Sequence, residues 1–279
     1  MSSYLGSIVI PAYNEGRVIR RCLDAIFTGL DPDEVEVVVA CNGCVDDTAD
    51  EAVAAGYPVK VIDLPEPGKI GALRAGERAV SALPRVYLDA DVEVTGATLR
   101  VVLAATAGDA IAARPPVRFA SERSTWLVRR YYAARQVLPG IMHDLCAGGI
   151  YAFSPTARAR FDEFPDVTSD DLFAARIVAA DEIVVVDTDP VVVHVPRDSR
   201  SLLHILKRVY RGNEEFADAH PDLARSTTAR TKRDLVQLAK NPRHTVDAIV
   251  FGGFAVAARV ALRFARKPVR WERDDSSRV

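Results

Sequence analysis

Asp89 and Asp91 end the apolar run Val86-Tyr87-Leu88 abruptly, two residues apart. A run of that kind reads as a buried strand. Its last residues should emerge at the carboxyl edge of a sheet, where open α/β folds bind ligands. In extended geometry two residues so spaced point to the same side. Two close carboxylates repel unless a cation or a proton lies between them, and a hard divalent cation carrying a phosphate-bearing ligand would answer that need. Taken alone, the pair is equally compatible with a solvated acidic turn. A second acidic pair, Asp170-Asp171, follows Ser169 at an expected helix start, where Ser169 can cap and the helix dipole favours carboxylates. Cys41-Asn42-Gly43-Cys44 has CxxC spacing, but no second pair follows. A zinc site would need two further ligands, so a strand-end and a loop cysteine in a reducing compartment is the simpler reading.

The elements around these residues repeat a pattern. Tyr4 to Ile10, Val35 to Ala40, Val59 to Asp63 and Arg85 to Asp89 read as buried strands. Pro11 should end the first of them, and Asn14 should cap a helix running to about Gly29. Helices are also expected from Asp46 or Asp47 to Gly56, from Ile70 to Ala82 and from Thr98 to Ala107. Strand, polar turn and helix in repetition predict an α/β fold with a mostly parallel sheet covered by helices, its polar turns gathered on one edge. Neither GxGxxG nor GxxxxGK[ST] follows the first strand, which speaks against dinucleotide-binding dehydrogenases and P-loop enzymes.

The second half is more mixed. Ala110 to Ala113 is a short strand and Ser124 to Val137 a helix. Gly148-Gly149 precedes an apolar strand, a place where a ligand could approach the backbone closely. Ile183 to Asp187 and Pro190 to Val195 look like the arms of a hairpin, the second ending at His194. Arg197 to Phe216 is a basic helix carrying Arg208 and Arg211. Residues 240–279 hold nine Lys/Arg against four Asp/Glu, a formal +5. They are expected to form a helical, basic, alanine-rich extension over 227–279, with a disordered end from Asp274 to Val279. That extension could lie on an anionic membrane or pack on the rest of the chain.

The chain has 279 residues, 49% of them hydrophobic and 27% charged, with net charge -2. That balance argues against general nucleic-acid binding. No signal peptide is visible and no stretch reads as long enough to span a bilayer. Ala248 to Ala258, the longest, is bounded by Asp247 and Arg259. A cytoplasmic protein is expected, with peripheral contact at the inner membrane face through the C-terminal helix.

Five motifs in order resemble family 2 glycosyltransferases: Ile8-Val9-Ile10-Pro11-Ala12-Tyr13-Asn14-Glu15, the Asn42 to Thr48 turn, Gly68-Lys69, Asp89-Ala90-Asp91 and Ser169-Asp170-Asp171. The resemblance covers about residues 4 to 216. It implies a GT-A fold over 1–226, with a Rossmann-like nucleotide-sugar-binding half at 1–107 and an acceptor and catalytic-base half at 108–226. It implies an inverting, metal-dependent transferase moving a sugar from a UDP-, GDP- or dTDP-linked donor to a saccharide or lipid-linked acceptor, in envelope, polysaccharide or glycolipid synthesis.

The resemblance also implies roles for individual residues. Pro11, Ala12, Tyr13 and Glu15 would line the base and ribose pocket. Asn42 stands where the family usually has an Asp reading the base, with Asp46 or Asp47 close by. Lys69 would lie near base or phosphates. Asp91 would be the main ligand of Mg²⁺ or Mn²⁺ in a DXD motif, Asp89 would face ribose or metal, and His194 would be a third ligand. Asp171 matches the general base and Asp170 the acidic residue before it. Arg208 and Arg211 resemble a QxxRW-type segment that contacts the diphosphate, but Arg208 and Gly212 replace its Gln and Trp. A sugar-phosphate nucleotidyltransferase and a non-catalytic nucleotide-sugar-binding module are the alternatives. The former would need a glycine-rich basic loop after the first strand, which Pro11 to Gly16 does not supply.

Overall fold

The computed structural model describes residues 4–167, 170–221 and 228–264. Ser169, the expected cap, and the segment from Asp274 to Val279, the expected disordered end, lie outside the described residues. In chain order the elements are β1 (Gly6–Ala12), α1 (Ile19–Ile26), β2 (Val35–Asn42), α2 (Thr48–Ala54), β3 (Lys60–Leu64), α3 (Lys69–Ala79), β4 (Arg85–Leu88), α4 (Gly96–Ala107), β5 (Ala112–Arg114), β6 (Val117–Ala120), α5 (Trp126–Val137), α6 (Pro139–Met142), β7 (Ile150–Phe153), α7 (Pro155–Arg158), α8 (Asp170–Ile177), β8 (Ile183–Val185), β9 (Val191–His194), α9 (Ser199–Ala219), α10 (Thr228–Ala239) and α11 (Thr245–Phe264). They form two compact units, one of residues 1–117 and 145–191, the other of 118–144 and 192–279. These divisions fall at different points from 107 and 226.

The first unit holds a seven-stranded sheet in the order β3-β2-β1-β4-β7-β5-β8. All neighbours pair in parallel except β7, which runs against both β4 and β5. Every residue of β1 is buried, as β-branched runs covered on both faces require. The α1 helix contributes Ile19, Cys22, Leu23 and Ile26 to the core.

Pro11 does not end the first strand. Its neighbours stay in register with β2, pairing Pro11 with Ala40 and Ala12 with Cys41. Ser7, which bonds Pro84 through its N–H, and Pro11 face the same side of β1. On that side the β4 register stops at Val9, so the missing N–H of proline breaks no ladder bond. Asn14 does not cap α1, whose N-cap is Val18 without a side-chain bond. Asn14 sits at φ 53°, and its Oδ1 accepts from the N–H of Val45 at 2.9 Å.

The expected hairpin is absent among the described residues. β8 joins β5 in the main sheet, whereas β9 pairs with β6 in a separate two-stranded sheet. Both segments are short and apolar, and period-2 alternation alone does not name a strand's partner.

In the second unit α11 packs on α5, α9 and α10. It has 20 residues and is long and apolar enough to cross a membrane by length and composition, contrary to the sequence expectation. Asp247 does not bound the apolar run because it is buried and paired, with Arg130 at 3.2 Å and His244 at 3.1 Å.

Near the end of α3, at the sheet edge where β1 and β4 begin, lies a buried ionic knot. Glu77 of α3 pairs with Arg85 at 2.8 Å and Arg158 at 2.6 Å, and accepts from the Tyr87 hydroxyl at 2.6 Å. Arg85 also donates to Ser7 Oγ and to the carbonyls of Val80 and Ala82.

Candidate functional site

The loops after β1, β2, β3 and β4 gather at one sheet edge, and their polar groups hold one another. The N–H of Glu15 donates to Thr48 Oγ1 at 2.7 Å and that of Gly16 to Asp46 Oδ2 at 3.2 Å. Asp46 also accepts from the Thr48 N–H and hydroxyl. Asn42 is buried, donates from Nδ2 to the Ala12 carbonyl at 2.7 Å and accepts at Oδ1 from the N–H of Gly68 at 3.0 Å. Its amide therefore joins three loops. Glu15 is buried, Tyr13 half-buried, and Asp47 exposed at the start of α2. Cys44 donates to the Ala12 carbonyl, and the Cys41 thiol is pushed up to about 12 by burial, then by Cys44 and Asp63. A thiol held that far from ionisation is a poor redox or metal centre at neutral pH.

The centre of this edge is Lys69, the first residue of α3. Its Nζ lies 2.9 Å from Asp89, 2.9 Å from Asp170 and 4.0 Å from Asp171. Burial would push this ammonium down, but Asp170, Asp89 and Asp171 outweigh it and hold its pKa well above the ordinary lysine value. Lys69 thus joins the two acidic pairs that lie some eighty residues apart in the chain. The two members of the second pair differ: the Asp170 side chain is 9% exposed and that of Asp171 52%.

β7 completes the edge because it runs antiparallel. Its N-terminal end, with Gly148 and Gly149, arrives where the parallel strands finish, and the N–H of Asp89 donates to the Gly149 carbonyl at 2.8 Å. Gly149 sits at φ +69°, and a Cβ there would stand 2.9 Å from Asp89 Oδ2. A Cβ on Gly148 would meet Val117. The close approach that these glycines permit is thus made by side chains of the protein itself.

Asp89 and Asp91 are not both in extended backbone. The strand ends at Leu88, and the N–H of Val92 bonds back to the Asp89 carbonyl at 3.0 Å, which makes a turn. Asp91 is exposed on that turn. No group of three or more His, Cys, Asp or Glu side chains able to hold a metal occurs among the described residues. The edge nonetheless fits a hard cation in its donor chemistry, since Asp89 and Asp91 offer only carboxylate oxygens. His194, Arg208 and Arg211 belong to the second unit: His194 is exposed at the end of β9, and both arginines lie on α9.

Residues 7–164 match the family model described as Glycosyl transferase family 2. The chain belongs to that family. Solved structures agree on the fold. A mannosyltransferase, PcManGT from Pyrobaculum calidifontis, in complex with GDP-Man and Mn²⁺, is 18% identical with TM-score 0.64, covering 94% of this chain and 87% of its own. Glucosyl-3-phosphoglycerate synthase from Mycobacterium tuberculosis, in complex with Mn²⁺, UDP and glucosyl-3-phosphoglycerate, is 23% identical with TM-score 0.52 over 76% and 78%. S. aureus TarS 1-349 in complex with UDP is 13% identical with TM-score 0.53 over 97% and 94%. No curated protein sequence matches. The mostly parallel α/β sheet expected from sequence is that of a family 2 glycosyltransferase, and the chain is a glycosyltransferase by family.

Sequence reasoning missed Tyr151, which lines the same recess as Pro11, Lys69, Asp89, Gly149, Asp170 and Asp171. Its ring stacks on Tyr87 at 4.9 Å. Its hydroxyl is buried and finds no hydrogen-bond partner among the described residues. Burial, then Cys146 and Asp170, hold its pKa well above the ordinary tyrosine value, so the phenol is a neutral donor. A strand-interior tyrosine reads as core in any sequence, and only its position after the glycine pair hinted otherwise. Tyr151→Phe is expected to raise ligand-free stability by about 1 kcal/mol, because it deletes an unsatisfied buried hydroxyl. It should also weaken nucleotide-sugar binding several-fold. Calorimetric melting and titration of the same sample check both arms, and a fall in melting temperature would show the hydroxyl to be satisfied in the folded protein.

Proposed function

We propose that this family 2 glycosyltransferase is a metal-dependent, inverting enzyme that moves a sugar from a nucleoside diphosphate to an acceptor hydroxyl. The observation that carries the reading is the Lys69 cluster, which gathers one nearly buried and one exposed carboxylate of the same helix start beside Asp89. Asp170 is committed to Lys69 and acts as a positioning residue. Asp171, the exposed member, is the base. It takes the proton of the acceptor hydroxyl as that oxygen bonds to the anomeric carbon, while the bond from that carbon to the diphosphate oxygen breaks and the diphosphate leaves with the electron pair. One displacement from the face opposite the leaving group inverts the anomeric centre.

Asp91, with Asp89, would hold Mg²⁺ or Mn²⁺, which supplies Lewis-acid stabilisation of charge on the leaving diphosphate when bound. Pro11, Ala12, Tyr13 and Glu15 line the base and ribose side, and Asn42 and Asp47 shape it from β2 and α2. UDP-, GDP- and dTDP-sugars are the donor class, and a saccharide or lipid-linked hydroxyl is the acceptor class.

The test is a thermal-shift screen of the three nucleoside diphosphates with and without Mn²⁺. Ligand at about 100 times its Kd should add about 2.7 kcal/mol of apparent stability. The gain should depend on Mn²⁺ in the unaltered chain and lose that dependence in Asp91→Ala. Metal-dependent affinity of normal strength in Asp91→Ala, measured by titration calorimetry, would remove Asp91 from the metal site.

A further inference from the structure

The net charge of the chain conceals a division. The unit of residues 1–117 and 145–191 carries 13 Lys/Arg against 26 Asp/Glu, a formal -13. The unit of 118–144 and 192–279 carries 23 against 12, a formal +11. Whole-chain charge is therefore a poor guide to what each unit attracts.

The cationic unit also exposes an apolar face. On α11, Val246, Ile249, Val256, Val260 and Phe264 are each 46% or more exposed. With Gly253, where an added Cβ would meet nothing, they recur at steps of three or four residues and make one stripe along the helix. From Val246 to Phe264 it runs about 27 Å at the ordinary helical rise. The opposite face is packed: Ala248, Phe251 and Ala258 are buried, and Phe251 stacks on Tyr131 of α5 at 4.8 Å.

At the start of α5, Trp126 is 50% and Leu127 43% exposed. Arg130, whose guanidinium lies over the Trp126 ring at 5.6 Å, pairs with Asp247, so this aromatic–aliphatic pair stands near the Val246 end of the stripe. Arg259 and Arg263 are exposed on α11, one turn apart and beside the stripe. Large apolar patches exposed to water are unfavourable and mark interaction sites. Here the patch is set in a body of strong positive charge, so the complementary surface is apolar and anionic together.

We propose that this face of the second unit docks on an anionic lipid bilayer, with α11 lying in the interface plane, its stripe among the acyl chains and its arginines at headgroup phosphates. Pairing of two copies through the same face would bring +11 against +11. A spanning α11 would have to leave Tyr131 and the packing of α5 and α9. Nucleic acid would use the charge but not the aliphatic stripe. The inference rests on charge and exposure alone and does not need the sugar-transfer reading.

Co-sedimentation of the full chain with vesicles tests it. Vesicles containing phosphatidylserine should bind the protein, phosphatidylcholine alone should bind far less, and added salt should release it. The triple variant Ile249→Glu, Val256→Glu, Val260→Glu should lose about tenfold or more in binding, whereas Val53→Glu on α2 of the first unit should change nothing. A melting curve and nucleoside diphosphate titration of the triple variant, both matching the unaltered chain, show that fold and first unit are intact. If the triple variant fails to fold, Ile249→Glu alone, together with the lipid and salt dependence of the unaltered chain, decides the matter. Equal binding by the triple variant, or equal binding to neutral vesicles, would overturn the proposal. So would resistance to an alkaline carbonate wash, which a spanning helix gives. A dimer by light scattering that the triple variant dissolves, without vesicle binding, would assign the face to a second copy instead. Duplex DNA binding in place of vesicle binding would assign it to nucleic acid.

Discussion

Asp171→Asn is expected to lower kcat about 10²- to 10⁴-fold, the range for losing a positioned general base, and to leave nucleoside diphosphate affinity within about threefold and the melting temperature unchanged. The argument is the inequality within the acidic pair. Asp170 is 9% exposed and its Oδ2 lies 2.9 Å from the Lys69 ammonium; protonating or deleting it disturbs the cluster. Asp171 is 52% exposed and 4.0 Å from the same ammonium, so it can receive an acceptor hydroxyl without breaking the close pair. The variant keeps the shape of the side chain and removes its capacity to take a proton, at the cost of one distant counter-charge to Lys69 at 4.0 Å. Asp170→Asn gives the contrast: it should lower stability and kcat together, because Lys69 loses a close counter-charge. Stopped turnover with intact binding and melting in Asp171→Asn, beside a lowered melting temperature in Asp170→Asn, separates base from positioning residue. Equal kcat in Asp171→Asn and the unaltered chain would end the assignment.

Glu77→Ala should be the most damaging single change to the fold among those considered, at about 3 to 5 kcal/mol. Glu77 is the shared acceptor of Arg85, Arg158 and the Tyr87 hydroxyl. The Arg85 side chain is only 6% exposed, so removing the carboxylate leaves a buried guanidinium with neutral partners alone. Domains are typically stable by about 5 to 15 kcal/mol in total, and a loss of this size in a unit this large lowers the melting temperature by roughly 10 °C. The loss reaches the site because Glu77 and Lys69 lie on the same helix. Replacing both partners with apolar residues, Glu77→Leu with Arg85→Met, should recover part of the loss. Calorimetry of the three proteins decides it; a Glu77→Ala shift below about 2 °C would mean that water reaches Arg85.

The fold was legible because it depends on periodicity. Apolar runs such as Ile8 to Ile10 and Val37 to Val39, each followed by a polar turn and a helical stretch, leave a parallel α/β sheet as the arrangement that buries them. The edge that carries the site followed from the same pattern, whereas the family came from the resemblance of five ordered motifs. What periodicity could not supply was partners. β8 and β9 look like two arms of one hairpin and join different sheets, because a short apolar strand carries no record of which neighbour it meets. Asn14 and Asn42 have the chemistry of a cap and of a base reader. The amide of Asn14 instead accepts from Val45, and that of Asn42 bonds Ala12 and Gly68, groups that only the folded edge brings within reach.

The acidic stretch at the end of β4 shows the division most plainly. The sequence by itself determined that Asp89 and Asp91 emerge at the ligand edge of a sheet, since an apolar strand ending in carboxylates has nowhere else to put them. It also identified a second acidic pair and a lysine of suitable charge. Only the tertiary structure decided that Lys69 lies between them, that Asp170 is held and Asp171 exposed, and that an antiparallel β7 brings Gly149 against Asp89 and Tyr151 into the same recess. The physical reason is that local propensity acts over a few residues, whereas these groups meet across intervals of twenty to about a hundred residues. Their juxtaposition is set by strand order and direction, which the packing of the whole sheet selects.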